Sequence, residues 1–314
     1  MKILVLGAGA VGGYFGGRLA EAGADVTFLV RPKRAELLAK TGLRISSKAG
    51  NLTMQPKCVV AGEVKPGYDI VMVTAKAYDL PSAIDAIAPA VAGGRGNVLP
   101  LLNGMSHLEM LDARFGRDHV LGGVAYIAST LAPDGEIRHL NDFHRIAFGP
   151  RHTAQKALCE AFAAASAGAK PEFKRTDAIE QAMWDKWVLL ATLAGITCLM
   201  RAPIGDIAAT GSGAALTLAL LGECAAVAQA EGFATPEAVR ANYSGMLTQK
   251  GSSFTASMLR DVESGAQAEG DHILGAMLAR ARQRSLATPI LEIAATHLET
   301  YAARRAREAA VKAS

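Results

Sequence analysis

The chain has 314 residues, enough for one large or two medium domains with a substantial core. Half of its residues are apolar and a fifth are charged, which argues against a disordered or fibrous chain; a net charge of only +4 argues against a nucleic-acid binder built on basic patches. The four cysteines, Cys58, Cys159, Cys198 and Cys224, are far apart and form no CxxC pair, so a disulfide framework or a zinc site is not expected and a reduced, cytoplasmic setting is.

In chain order, "KILVLG" (2–7) reads as a wholly apolar strand of the kind a parallel sheet buries on both faces. It also reads as a strand and turn rather than a signal peptide, which would carry a basic n-region and a longer apolar stretch. A helical pattern follows over about 10–23, then a second strand, "DVTFLV" (25–30). Residues 43–60 suggest a hairpin turning at 48–51. "DIVMVTAK" (69–76) is another buried strand, 81–92 is helical, and "NVLPLLNG" (97–104) is a strand ending in Asn-Gly. Strand-rich sequence continues to about 149 with a turn at "PDGE" (133–136); a helix at 151–167 and a short strand near 172–175 close this half. Strand and helix alternating through short connections predict an α/β doubly wound sheet over 1–176. From 177 to 314 the strand signals stop, and helical patterns occupy 178–200, 212–231, 236–249, 253–263, 270–285 and 288–306, punctuated by Gly and Pro. The longest apolar run, 187–200, falls short of the about 20 residues a spanning helix needs and reads as a core helix, so no membrane partner is expected. The architecture predicted is an α/β dinucleotide-type domain followed by an all-α domain, with a ligand in the cleft between them.

The string Gly7, Ala8, Gly9, Ala10, Val11, Gly12 is GxGxxG. Alone it is weak; here it follows an apolar strand and opens a helix, the setting a Rossmann-type dinucleotide site requires. Gly7 permits the turn, Gly9 lets backbone approach a pyrophosphate, and Gly12 lets helix pack on strand. The helix N-terminus offers N–H groups and a positive dipole to the phosphates. The end of the second strand chooses the cofactor. An NAD site places a carboxylate there for the ribose 2′-hydroxyl, whereas this chain has Arg31, Lys33 and Arg34. A guanidinium suits a 2′-phosphate, so NADPH is expected over NADH, with Arg31 as the main reader.

These residues together with several later ones resemble the ketopantoate reductase (2-dehydropantoate 2-reductase) family over essentially the whole chain. Lys76 in "VTAKAYD" matches the family lysine at a strand end near the nicotinamide ribose. Asn103 in "LLNGM" matches the asparagine that touches cofactor and substrate. Lys186 in "MWDKW" matches the proton-donating lysine, Ser257 in "SMLRDVESG" a substrate-contacting serine, and Glu269 in "AEGDHI" the glutamate beside the active centre. The resemblance implies a Rossmann-type domain and a helical domain. It also implies reduction of a 2-oxo acid, ketopantoate to pantoate, by hydride transfer from NADPH to C2, with Lys186 and Glu269 as catalytic residues and no metal.

Lys186 shares a helix face with Leu190, Leu193 and Ala194, so its ammonium either snorkels to water or faces a cleft; partial burial would bring its pKa toward the working pH of a general acid. Glu269 is the expected carboxylate partner. The sequence departs from the family where asparagines follow that lysine: the positions hold Leu190 and Ala194, Ile204 stands in "RAPIGD", and Leu274 in "EGDHILG". Apolar residues cannot meet the substrate groups those carboxamides bind. Either the substrate is a more apolar 2-oxo acid or ketone, or Thr192, Thr197, Arg201 or Ser253 holds ketopantoate instead. A non-catalytic NADP-binding sensor is the reading from another class, and retention of Lys186 and Glu269 counts against it. The apolar helices leave room for a homodimer.

Overall fold

The computed structural model describes residues 1–313, and the chain divides into two units. The first comprises Met1–Leu102 and His107–Ala182; the second comprises Asn103–Ser106 and the described chain from Met183 onward.

The first unit runs β1 (Lys2–Leu6), α1 (Gly12–Glu21), β2 (Asp25–Leu29), α2 (Pro32–Thr41), β3 (Leu43–Ser46), β4 (Leu52–Met54), β5 (Lys57–Val59), β6 (Ile70–Val73), α3 (Leu80–Val91), β7 (Asn97–Pro100), α4 (Ser106–Phe115), β8 (Gly122–Leu131), β9 (Ile137–Gly149), α5 (Lys156–Ser166) and β10 (Glu172–Arg175). Ser106, the first residue of α4, belongs to the second unit. One sheet is parallel throughout, in the order β5-β2-β1-β6-β7. Its central strands are sealed on both faces, with Ile3, Leu4 and Val5 of β1 and all four residues of β6 fully buried. The chain leaves β1 toward β2 and later returns to β6 on its other side, so a topological switch point lies at the carboxyl ends of β1 and β6. The second sheet has the order β10-β9-β3-β4, with β8 antiparallel to β9.

Helix α1 lies between the sheets because its glycines carry no side chain. A Cβ on Gly16 would meet the Phe28 ring at 2.7 Å, and one on Gly17 would meet Ile45 and Leu43 at 2.9 Å. Edge-on contacts among Phe15, Phe173, Phe162 and Phe148 complete that core.

The second unit is helical: α6 (Ile179–Met200), whose first residues belong to the first unit, then α7 (Ile204–Ala209), α8 (Gly213–Ala230), α9 (Glu237–Leu247), α10 (Ser257–Glu263), a π-helical turn (Asp271–Gly275), α11 (Ala276–Gln283) and α12 (Pro289–Ala313). Both α6 and α8 are long and apolar enough to cross a membrane by length and composition, but 72% of the apolar window of α6 is buried inside the protein. Gly195 lets its neighbours approach α6: a Cβ there would lie 3.0 Å from Leu220 and 3.3 Å from Leu274.

The parallel sheet and the helical second half match the expected fold class. Three helices, α2, α4 and α7, were not anticipated. Helix α2 begins at Pro32, whose fixed φ and missing N–H suit a first helical position. Helix α4 corrects the reading of strand-rich sequence after 104; it buries only His107, Leu108 and Leu111, a short stripe that periodicity barely signals. The expected 43–60 hairpin is shorter, because 57–59 leaves it to pair with β2 as β5. The segment 253–263 becomes helical only at Ser257.

Candidate functional site

The predicted site residues fall into two groups, one in each unit. In the first, the glycine-rich turn leaves the end of β1. Gly7 takes φ +94°, and its N–H donates to the Leu29 carbonyl at 2.9 Å. Thr74, just past the end of β6, donates its hydroxyl to the Leu6 carbonyl at 2.7 Å. The glycines differ in what limits them. A Cβ on Gly12 would sit 2.3 Å from both the Gly7 oxygen and the Thr74 hydroxyl, so the fold itself demands glycine there. A Cβ on Gly9 would meet nothing within 4 Å. Gly9 is therefore small for no reason internal to the protein, and the space beside it is a cradle at the N-terminal end of α1. That fits a pyrophosphate, the one group a GxGxxG turn at a switch point is built to meet.

Arg31 follows β2 as the residue before α2, 79% exposed, and its guanidinium pairs with Asp79 at 3.1 Å. Lys33 is exposed beside it. Arg34 corrects the expectation of a three-cation loop. Its side chain turns inward and donates to the Ala8 carbonyl from Nη2 at 2.8 Å and from Nε at 3.2 Å, so it is spent on the turn. Lys76 is half-buried at the carboxyl end of β6, across the switch point from the turn.

The second group gathers around α6. Lys186 Nζ donates to Asn103 Oδ1 at 3.1 Å. The lysine is partly buried, and loss of hydration pushes its pKa from 10.5 down to about 8. Its neighbour Trp187 is fully buried and donates its indole N–H to the Ile273 carbonyl at 3.0 Å, which fixes α6 against the π-helical turn. The Arg280 guanidinium sits 5.1 Å from the Trp187 ring centre.

His272 was missed by the sequence reading. Its Nε2 lies 2.8 Å from the Asn103 main-chain oxygen, and a carbonyl only accepts, so Nε2 carries the proton. Burial lowers the pKa of His272, which favours the neutral ring, against opposing pulls that include the charge of Glu269. Gly104, at φ +79°, lets the chain turn beside this ring, which a Cβ would approach to 3.3 Å. Asn103 is thus held at its main chain by His272 and at its side chain by Lys186. Glu269, expected as the partner of Lys186, precedes His272 by one turn and acts on that ring. Ser257 is exposed as the first residue of α10, and its hydroxyl bonds none of these groups. Among the described residues, no group of three or more His, Cys, Asp or Glu is placed to hold a metal ion.

The positions where the family carries asparagines do not behave alike. Ala194, Ile204 and Leu274 are core residues, 3%, 0% and 0% exposed, and only Leu190 keeps part of its surface. Two of the alternative substrate holders are also core residues. Thr192 and Thr197 are fully buried, and their hydroxyls donate to the carbonyls of Val188 and Leu193 one turn back. Arg201 and Ser253 are exposed.

Two family models match, "Ketopantoate reductase PanE/ApbA" over residues 3–152 and its C-terminal counterpart over 178–302. The chain is 41% identical over 305 residues to an uncharacterized oxidoreductase, YkpB, of Bacillus subtilis, covering 97% of this chain and all of the relative. It superposes on the crystal structure of 2-dehydropantoate 2-reductase from Geobacter metallireducens with a TM-score of 0.87 at 30% identity, over 96% of this chain and 99% of that one. D-mandelate dehydrogenase in a ternary structure with NADH and anilino(oxo)acetate shares the fold, with a TM-score of 0.87 at 19% identity over 97% of this chain and 99% of that one.

Proposed function

Since the chain belongs to the ketopantoate reductase family, a family of oxidoreductases, we propose that it reduces a 2-oxo acid with NADPH in the cytoplasm. The observation that carries this reading is Lys186, a partly buried lysine with its pKa pushed down to about 8, tied to the Asn103 carboxamide. The residues present suit the dinucleotide: the Gly7–Gly12 turn (Gly7, Ala8, Gly9, Ala10, Val11, Gly12) for the pyrophosphate, Arg31 for the 2′-phosphate, and Lys76 and Asn103 for the nicotinamide end. When bound, NADPH supplies a hydride to C2 of the oxo acid. Lys186 donates a hydrogen bond from Nζ to the C2 carbonyl oxygen, steadies the charge that develops on it, and transfers the proton, giving the 2-hydroxy acid. Asn103 accepts from Lys186 through Oδ1, which aims the ammonium and leaves the amide NH2 as a donor for the substrate. Ser257 helps hold the substrate, and Glu269 orients the Lys186 region through its charge.

Ketopantoate is the leading substrate on the family resemblance. A more apolar 2-oxo acid is the second reading, favoured by Leu190, the one of the four apolar replacements that keeps part of its surface and which presents no carboxamide to a substrate hydroxyl. Loss of NADPH absorbance across a panel holding ketopantoate, branched aliphatic and aryl 2-oxo acids separates the two. A kcat/KM for an apolar acid well above that for ketopantoate selects the second. NADPH binding without oxidation by any acid removes the reductase assignment and leaves a sensor.

A further inference from the structure

The peptide units of the glycine-rich turn are anchored from outside the motif. Arg34 donates two hydrogen bonds to the Ala8 carbonyl, at 2.8 and 3.2 Å, and one from Nη2 to the Gly135 carbonyl at 3.2 Å. Ser129 donates its hydroxyl to the Ala10 carbonyl at 3.0 Å. Ser129 stands on β8 at the end of a register shift between Ile127 and Ser129, an irregularity of the kind that re-aims side chains. Gly135 lies in the turn from β8 to β9 at φ +83°, and a Cβ there would press on Arg34 Nη1 at 2.6 Å. One hairpin therefore supports both anchors.

In a trans peptide the C=O and N–H of one unit point in opposite directions. Fixing the Ala8 oxygen toward Arg34 turns the Gly9 N–H away from Arg34; fixing the Ala10 oxygen toward Ser129 turns the Val11 N–H away from Ser129. Neither N–H donates to another group among the described residues. Gly9 is also the position beside open space. Resting on the cofactor reading above, we propose that Arg34 and Ser129 are positioning residues for the dinucleotide. They hold alternate peptide units of the turn so that the N–H groups of Gly9 and Val11 aim at the pyrophosphate, and they touch no part of the cofactor. This separates Arg34 from Arg31, three residues earlier, whose exposed guanidinium reads the 2′-phosphate directly.

The test is equilibrium titration of NADPH, NADH and adenosine 2′-monophosphate, which has no pyrophosphate, against wild type, Arg34→Met, Arg34→Lys, Ser129→Ala and Arg31→Ala. Arg34→Met should weaken NADPH and NADH by the same factor, on the order of tenfold, and Ser129→Ala by about threefold, with the monophosphate unchanged in both. Arg34→Lys keeps the charge but not the forked grip, and should fall between Arg34→Met and wild type. Arg31→Ala should weaken NADPH and the monophosphate and spare NADH. The proposal is overturned if Arg34→Met and Ser129→Ala bind both dinucleotides as wild type does, or if Arg34→Met reproduces the Arg31→Ala pattern. Equal loss of the monophosphate would mark general damage, and a wild-type result for Arg34→Lys would assign the effect to charge; either also overturns it. Should Arg34→Met fail to fold, Ser129→Ala carries the test alone. If wild type binds neither dinucleotide, the cofactor reading and this proposal fall together; if it binds both and the variants match it, only this proposal falls.

Discussion

The glycine-rich turn after β1 is made of backbone held in place by its neighbours, whereas the cluster around Lys186 is made of side chains from distant segments. In the turn, the groups on offer to a ligand are peptide N–H groups, and the sequence contributes mainly by keeping atoms out: Gly9 opens space, and Gly12 avoids the Gly7 oxygen and the Thr74 hydroxyl. Around Lys186, the feature is one titratable group whose proton affinity is lowered by burial and whose ammonium is held by a carboxamide supplied from 83 residues away. Backbone sites tolerate change around them so long as the shape survives; side-chain sites depend on single atoms. The two should therefore fail in different ways.

The largest contrast is expected from Lys186→Ala. Removing a general acid costs about 10²–10⁴-fold in turnover. Because the proposed role puts this lysine at the substrate end, the Kd for NADPH should change by less than a few-fold. A stopped assay for the 2-hydroxy product alongside a fluorescence titration of NADPH measures both. Turnover near that of wild type would take Lys186 out of the acid role, and a parallel loss of NADPH affinity would erase the division between the two sites.

A paired glycine replacement sharpens the comparison from the other side, at smaller amplitude. Gly9→Ala places its methyl in open space, so thermal stability should hold while NADPH and NADH affinity falls on the order of tenfold or more through a clash with the pyrophosphate. Gly12→Ala places its methyl 2.3 Å from backbone, so the fold itself should lose roughly 1–3 kcal/mol. Melting curves with and without NADPH read both effects. If Gly9→Ala bound cofactor normally, the empty space beside Gly9 would have some other purpose.

The same contrast explains what could be read in advance. The turn was legible because its requirements are local: an apolar strand, glycines at fixed spacing, a helix start. Lys76 and Asn103 were legible as strand-end residues for the same reason. The supports were not. Arg34 looked like one more loop cation because its partners, Ala8 and Gly135, lie 26 and 101 residues away in the chain. His272 bonds the Asn103 main chain across 169 residues, a pairing no periodicity encodes. The carboxamide of Asn103 accepts from Lys186, and the Glu269 charge bears on His272, pairings that only the folded chain brings together. The apolar replacements were visible as substitutions, but that Ala194, Ile204 and Leu274 are buried required the packing of the helical unit.

The pH dependence gives the smallest effect and the most direct view of the Lys186 environment. A general acid must be protonated, and the Lys186 pKa is pushed down to about 8 by lost hydration. For 2-oxo acid reduction, kcat/KM should be level below that pH and fall about tenfold per unit above it, and oxidation of the hydroxy acid should show the opposite slope. Stability runs the other way from activity. Between about 8 and 10.5 the unfolded chain holds the Lys186 proton more tightly than the folded one. The cost of the buried charge is therefore fully present below about 8 and is relieved as pH rises toward 10.5. Lys186→Met, which removes the charge and keeps the stem, should raise Tm by a few degrees at pH 7, with the gain shrinking toward pH 10. Lys186→Arg, which stays charged, should abolish the basic limb whatever turnover it retains. A limb that persisted in Lys186→Arg would belong to another group and would detach the burial of Lys186 from the chemistry.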